Sequence, residues 1–180
     1  MSFQKDEVIE RLKKTYGYSY DIKSYEEAVD GLQFEGEFHV HSEKYVLSKK
    51  AQLYQMDSNE YTYVYYYPHL TKDLFDAAIN DAYDKGFPNI KPSSDHRCSY
   101  IVGIFICDTF DDDAYIALKK YRRRQSFQFS LHGWMEVHTA MIDMRSESVM
   151  YNSDGRQTGK FLKKILHPKK RRKSLFILKN

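Results

Sequence analysis

The sequence is poor in the residues that punctuate or staple a chain: two cysteines, four prolines, eight glycines and one tryptophan in 180 residues. Cys98 and Cys107 are too few for a disulfide scaffold, and a reducing, cytoplasmic home is the expectation. So little glycine and proline excludes collagen-like and linker-like chains. No apolar run approaches the ~18–20 residues that a membrane-spanning helix needs, so no transmembrane segment is expected. The opening stretch, Met1 to Glu7, lacks the apolar region of a secretory leader. No glycine-rich phosphate loop, Gly-x-Ser-x-Gly elbow, His-x-x-x-His helix or cysteine pair at zinc spacing occurs. The most specific nucleotide, hydrolase and zinc signatures are therefore missing.

Aromatic residues are plentiful, with 16 Tyr and 11 Phe, and 42% of the chain is apolar. The length is that of one domain, enough to bury a core without metal or disulfide support. Charge is unevenly placed. Lys and Arg number 28 against 25 Asp and Glu, but ten of the basic residues fall between Arg156 and Asn180, where there is no acid. The preceding 155 residues therefore carry 18 basic against 25 acidic groups, a net of −7. Such asymmetry marks an interaction tail. A smaller basic cluster, Lys119 to Arg124, lies inside the body.

Periodicity predicts a helix over about Lys5–Thr15, from Val8, Ile9, Leu12 and Tyr16, with Gly17 after it. Ser24-Tyr25-Glu26-Glu27 has the form of a capping box opening a helical turn. Two-residue alternation then predicts strands over Phe34–His41, Tyr45–Gln55 and Glu60–Tyr67, read as an antiparallel meander ended by Pro68. Thr71 caps a helix whose stripe is Leu74, Phe75, Ala78, Ile79, Ala82 and Tyr83. Tyr100–Cys107 is apolar throughout and reads as a central strand covered on both faces. Asp111 or Asp112 opens a further helix, and a long strand is expected from Phe127 to Asp143, returning through Val149 to Tyr151. Thr158–Leu166 is an amphipathic basic helix closed by Pro168. The order α-β-β-β-α-β-α-β-β-α favours a single α+β domain over residues 1–167, with a largely antiparallel sheet and helices packed on it, followed by a basic tail over 168–180.

Four constellations can carry chemistry. Glu35, Glu37, His39 and His41 fall on one face of a strand, as do His132, Trp134, Glu136 and His138 on another. Brought together, His39, His41, Glu136 and His138 would suit a divalent metal, although the same alternation arises on any sheet with one solvated face. Asp108, Asp111, Asp112 and Asp113 follow the apolar strand and suit either Mg²⁺ or a helix N-terminus. Tyr61, Tyr63, Tyr65 and Tyr67 form a ladder that could stack bases or pack against a helix. The basic set is Arg156, Lys160, Lys163, Lys164, Lys169, Lys170, Arg171, Arg172 and Lys173. It suits phosphate contacts without sequence readout, with nucleic acid or another polyanion as partner. Beyond it lies an apolar run, Leu175 to Leu178.

Two resemblances follow from particular residues. Phe127-x-Phe129, Gly133-Trp134-x-Glu136-Val137, Asp143, Tyr151-Asn152 and Gly159-Lys160 are joined by Glu43-Lys44-Tyr45-Val46-Leu47-Ser48-Lys49-Lys50-Ala51. Together they resemble a family of uncharacterised bacterial proteins over about residues 20–165. That resemblance carries no activity across. The order helix, three strands, helix, strand is similar to the core of restriction-endonuclease-like nucleases. It would place Asp57 and Glu60-Tyr61-Thr62 at a Mg²⁺ site, with Thr62 where that family has lysine and Lys49 or Lys50 as a substitute. The expectations are thus a cytoplasmic polyanion-binding module, a metal-dependent hydrolase, or a structural protein assembling through the tyrosine ladder or the 175–178 run. No cofactor is evident beyond a divalent metal, and the sequence does not set an oligomeric state.

Overall fold

The computed structural model describes residues 4–39, 58–94 and 96–168. Helix α1 (Lys5–Tyr16) leads into strands β1 (Asp21–Val29), β2 (Leu32–Phe38) and β3 (Ser58–Leu70). Then come α2 (Lys72–Gly86), β4 (Cys98–Phe110), α3 (Asp112–Lys120), β5 (Arg124–Ser126), β6 (Trp134–Asp143), β7 (Ser148–Tyr151) and α4 (Arg156–Leu166). The strands form one sheet in the order β1-β2-β3-β4-β6-β5, with β7 also paired to β6. Four strand pairs are antiparallel, while β3, β4 and β6 run parallel at its centre. The architecture is α+β in a single domain, as the order of elements predicts.

Both faces of the sheet are buried, and helix direction decides which helix lies where. The crossovers from β3 to β4 and from β4 to β6 step the same way across the sheet, which puts α2 and α3 on one face. There Phe75, Ile79 and Leu118 pack on Tyr61, Tyr65, Ile101, Phe105 and Val137. Helices α1 and α4 cover the other face, where Leu12, Tyr16, Leu162 and Leu166 meet Phe34, Val64, Ile104 and Ile142. Strand β4 therefore has both faces buried, which is why its sequence is continuously apolar. Arg11 joins the two helices by donating from Nη1 to the Leu166 carbonyl at 3.0 Å. Thr71 caps α2 through its hydroxyl, which accepts from Leu74 N at 3.3 Å. Leu74 itself points outward and is partly exposed.

Several sequence-level expectations give way to tertiary pairing. Ser24 to Glu27 form no helical turn; they belong to β1, where Ser24 pairs with Phe34. The hairpin closes at Asp30-Gly31, both at positive φ (50° and 84°), a geometry suited to the twist of paired strands. A Cβ on Gly31 would come within 2.6 Å of the Tyr67 ring, so space as well as conformation selects glycine. The expected strand Tyr45–Gln55 lies outside the described residues. Strand β3 runs past Pro68 to Leu70, because β2 has ended by then and the missing N–H faces no partner. Residues 127–133 are not the start of the long strand. Gln128, Phe129 and Ser130 all take left-handed φ (45°, 54° and 69°), a turn that costs each residue about 1 kcal/mol or more. The alternation of His132 with Trp134 is therefore not that of one strand, and Phe129 and Leu131 are exposed rather than packed.

Candidate functional site

Lys119 of the internal basic cluster and Lys163 of the basic helix α4, 44 residues apart in sequence, meet in space. Tyr151, the last residue of β7, is flanked by Lys119 from the end of α3 and Lys163 from α4. Their Nζ atoms stand 5.5 and 5.3 Å from its ring centroid. A ring quadrupole holds such cations without neutralising them, so both charges stay available to an anion. Arg156, Lys160, Lys163 and Lys164 are all exposed on α4, while Leu162, Ile165 and Leu166 bury its other side. Arg122 meets Asp154 at 3.4 Å and Arg124 meets Glu136 at 2.7 Å, so these two are partly balanced. Arg123 lies over the Tyr83 ring, 3.2 Å from its centroid.

A buried asparagine fixes this arrangement. Asn152 Oδ1 accepts from Thr139 N at 3.1 Å and from Gly155 N at 2.7 Å. Its Nδ2 donates to the Tyr121 carbonyl at 2.9 Å. One side chain thus ties β6, the entry to α4 and the exit of α3, the three places that set Lys119 and Lys163 around Tyr151. The close approach of α4 needs Gly159, where a Cβ would fall 2.0 Å from Tyr151 Cδ1.

A second polar feature is buried on the α1/α4 face, across the first residues of the parallel strands. Register places Glu60, Tyr100 and Glu136 in one row. Glu60 is 1% exposed, and its Oε1 accepts from the Thr62 hydroxyl at 2.8 Å. Burial pushes its pKa above the usual carboxylate range, against the opposing pull of hydrogen bonds from Thr62 and Tyr20 and of nearby His138. His138 stacks on Tyr100 with ring centroids 4.5 Å apart, and its buried Nδ1 has no hydrogen-bond partner among the described residues. The His138 ring, 3.7 Å from Glu136 Oε2, holds the Glu136 pKa below its ordinary value, opposed by burial and helped by Arg124.

The sequence-predicted metal ligands do not share one place. Glu35, Glu37 and His39 lie on the α2/α3 face, where His39 meets Glu37 at 3.5 Å and the Tyr61 ring at 5.6 Å between centroids. Glu60, Glu136 and His138 lie on the opposite face, so the sheet stands between the two sets. His41, Asp57 and Lys169 to Lys173 lie outside the described residues. Among the described residues no group of three or more His, Cys, Asp or Glu is placed to hold a metal ion.

The aspartates after β4 also diverge. Asp108 accepts from Tyr66 at 2.8 Å, Asp111 pairs with His69 at 2.9 Å, and Asp112 and Asp113 fill the first turn of α3. The tyrosine ladder packs beneath α2: Tyr61, Tyr63 and Tyr65 are buried, with Tyr65 donating to Asp81 at 2.8 Å and Tyr61 to the Asn89 carbonyl at 3.0 Å. Sequence reading did not single out Tyr151 as a site or Asn152 as its support, although the aromatic residue beside Asn-Ser-Asp-Gly was a visible signal.

The described residues define an α+β protein with a seven-stranded mixed sheet, helices on both faces and a basic edge centred on an aromatic ring. None of its described helices is long and apolar enough to cross a membrane. Residues 4–164 match the family described as Domain of unknown function (DUF8052), and the chain belongs to that family. No curated protein and no solved structure matches the chain.

Proposed function

We propose that this protein is a cytoplasmic binding module for a polyanion, most simply nucleic acid, and that the surface around Tyr151 is its contact face. The observation that carries this reading is the convergence of Lys119 and Lys163 on one ring from separate helices. Two exposed ammonium groups held side by side on an aromatic ring, with no acid paired to them among the described residues, are the chemistry that binds neighbouring phosphates. The basic run Lys169 to Lys173 follows α4 in sequence and adds charge of the same sign. Phosphate contacts of this kind position a strand without reading its sequence. Two cysteines in 180 residues are too few for a disulfide scaffold, which accords with a reducing compartment.

The test is a titration of labelled single- and double-stranded nucleic acid across a salt series. It uses the full chain, a chain ending at Pro168, and the full chain carrying Lys119→Ala and Lys163→Ala. Binding should weaken steeply with salt, fall with the tail removed and fall further with the paired substitution. Absence of binding by the full chain at low salt would overturn the reading. So would binding that neither change affects.

A further inference from the structure

We infer that the same edge takes single-stranded rather than duplex nucleic acid, with Phe129 as the platform on which an unpaired base stacks. This rests on the polyanion reading above and specifies its ligand. Phe129 is 100% exposed and Leu131 76% exposed, the two most exposed large apolar side chains among the described residues. They are not the loose tip of a flexible loop. Phe127 N donates to the Gly133 carbonyl at 2.9 Å, Leu131 N to Gln128 at 3.0 Å and His132 N to Phe127 at 3.2 Å, closing the turn on itself. His96 Nδ1 bonds the His132 carbonyl at 2.8 Å, and Phe127 packs inward against the Phe87 ring at 6.4 Å between centroids. The backbone thus spends three successive left-handed residues to hold Phe129 in water. Strain kept in a well-anchored segment points to a binding role for what it presents.

The turn is continuous with the basic edge. Strands β5 and β7 pair with the same side of β6, where Arg124 faces Glu136 and Tyr151 faces Ala140. Those β6 positions are four residues apart, about 13 Å along the strand, and the turn begins directly beyond Ser126. No Asp or Glu occurs in sequence between Ala114 and Met135. In space Arg122 and Arg124 are ion-paired with Asp154 and Glu136, so the exposed Lys119 and Lys120 carry the uncompensated charge. A strand laid along this edge meets Lys163 and Lys119 at Tyr151, passes the ion-paired Arg122 and Arg124, and reaches the turn that carries Phe129. A duplex keeps its base faces stacked inside and offers Phe129 nothing; a single strand offers a free base face, and stacking of this sort tolerates any sequence. Insertion into a bilayer gains from a broad apolar face, and two side chains on one turn do not make one.

The experiment compares the full-length chain with Phe129→Ala, Phe129→Trp and Phe129→Leu. Its probes are labelled oligothymidylate of about 20 nucleotides, longer than a typical single-strand site, a duplex of equal length, and vesicles of phosphatidylcholine with phosphatidylserine. Full exposure of Phe129 means that each variant should melt with the parent protein, which circular dichroism checks. The parent should prefer the single strand. Phe129→Ala should lose about tenfold or more of that affinity, leaving duplex affinity unchanged. Phe129→Trp should restore the loss and Phe129→Leu should not. An unchanged single-strand affinity in Phe129→Ala, beside salt-sensitive binding by the parent, would overturn the stacking inference and leave the polyanion reading standing. No nucleic-acid binding by the parent would overturn both. Vesicle binding lost in Phe129→Ala, with nucleic-acid affinity intact, would make the turn a membrane contact and overturn the inference.

Discussion

At the scale of single residues, the buried carboxyl of Glu60 and the half-buried one of Glu136 shift in opposite directions. The fold prefers the neutral form of Glu60, so its folded pKa lies above the unfolded value of about 4.3. Its contribution to stability is complete below that value and is lost as pH rises through the folded pKa. Glu60→Gln keeps the shape and stays neutral. It is expected to stabilise the protein by about 1–3 kcal/mol near pH 8 and to change little near pH 4, measured by denaturant unfolding at both. Glu136 is the reverse case. The His138 ring and Arg124 favour its charged form, so its contribution is present above about pH 4.3 and fades as pH falls through the lowered folded value. Glu136→Gln should therefore destabilise at neutral pH, with the deficit shrinking in acid. Cys107 offers a check on burial itself. Burial first, then Asp143 and Asp108, push its thiol up to about 12. Native protein should leave Cys107 unalkylated by iodoacetamide over hours at pH 8, and denatured protein should react promptly, as peptide mass spectrometry would show.

At the scale of elements, the support of α4 decides whether a basic surface exists at all. Asn152→Ala would strand the N–H groups of Thr139 and Gly155 and the Tyr121 carbonyl in a buried setting. A loss of about 2–4 kcal/mol is expected from chemical denaturation, with Asn152→Asp recovering part of it. Gly159→Ala should cost about 1–3 kcal/mol by forcing the Tyr151 ring aside. It should also weaken polyanion binding, since the ring carries both lysines.

Elements whose period agrees with their packing could be read from the sequence. Helix α2 was announced by Thr71 and its apolar stripe, β4 by an unbroken apolar run, and α4 by basic and apolar residues on opposite sides. Reading failed where a local signal competed with pairing. Ser24 to Glu27 imitate a capping box, yet the Asp30-Gly31 turn six residues on commands a hairpin and draws them into β1. Residues 127–133 alternate like a strand, but Gln128 to Ser130 take left-handed φ and the segment closes on itself as a turn, braced by His96 and Phe87 from far away in the chain.

At the scale of the whole molecule, the sheet sorts the polar groups. Because β2 pairs with β3 in a register that puts Glu37 opposite Tyr61, the Glu35, Glu37 and His39 set falls on the α2/α3 face. Because Glu60, Tyr100 and Glu136 align across the parallel strands, the second set falls on the other. Which face each residue would occupy was legible from alternation, but whether two faces coincide depends on the bulge between Leu32 and Phe34 and on strand order, and neither is visible in one sequence. The basic edge was half legible: both clusters stand out in the charge pattern, but only the pairing of β7 with β6 brings them to one ring.

The central claim is that Lys119 and Lys163 contact phosphates together at that ring. Its most direct test is the salt dependence of single-stranded nucleic-acid binding, measured by fluorescence anisotropy for the parent chain and for Lys119→Ala with Lys163→Ala. Each phosphate contact contributes about 0.7 to the slope of log K against log salt, so the double substitution should flatten the slope by about 1.4 and weaken binding most at low salt. A slope unchanged by the double substitution would contradict the account and move the contact away from Tyr151.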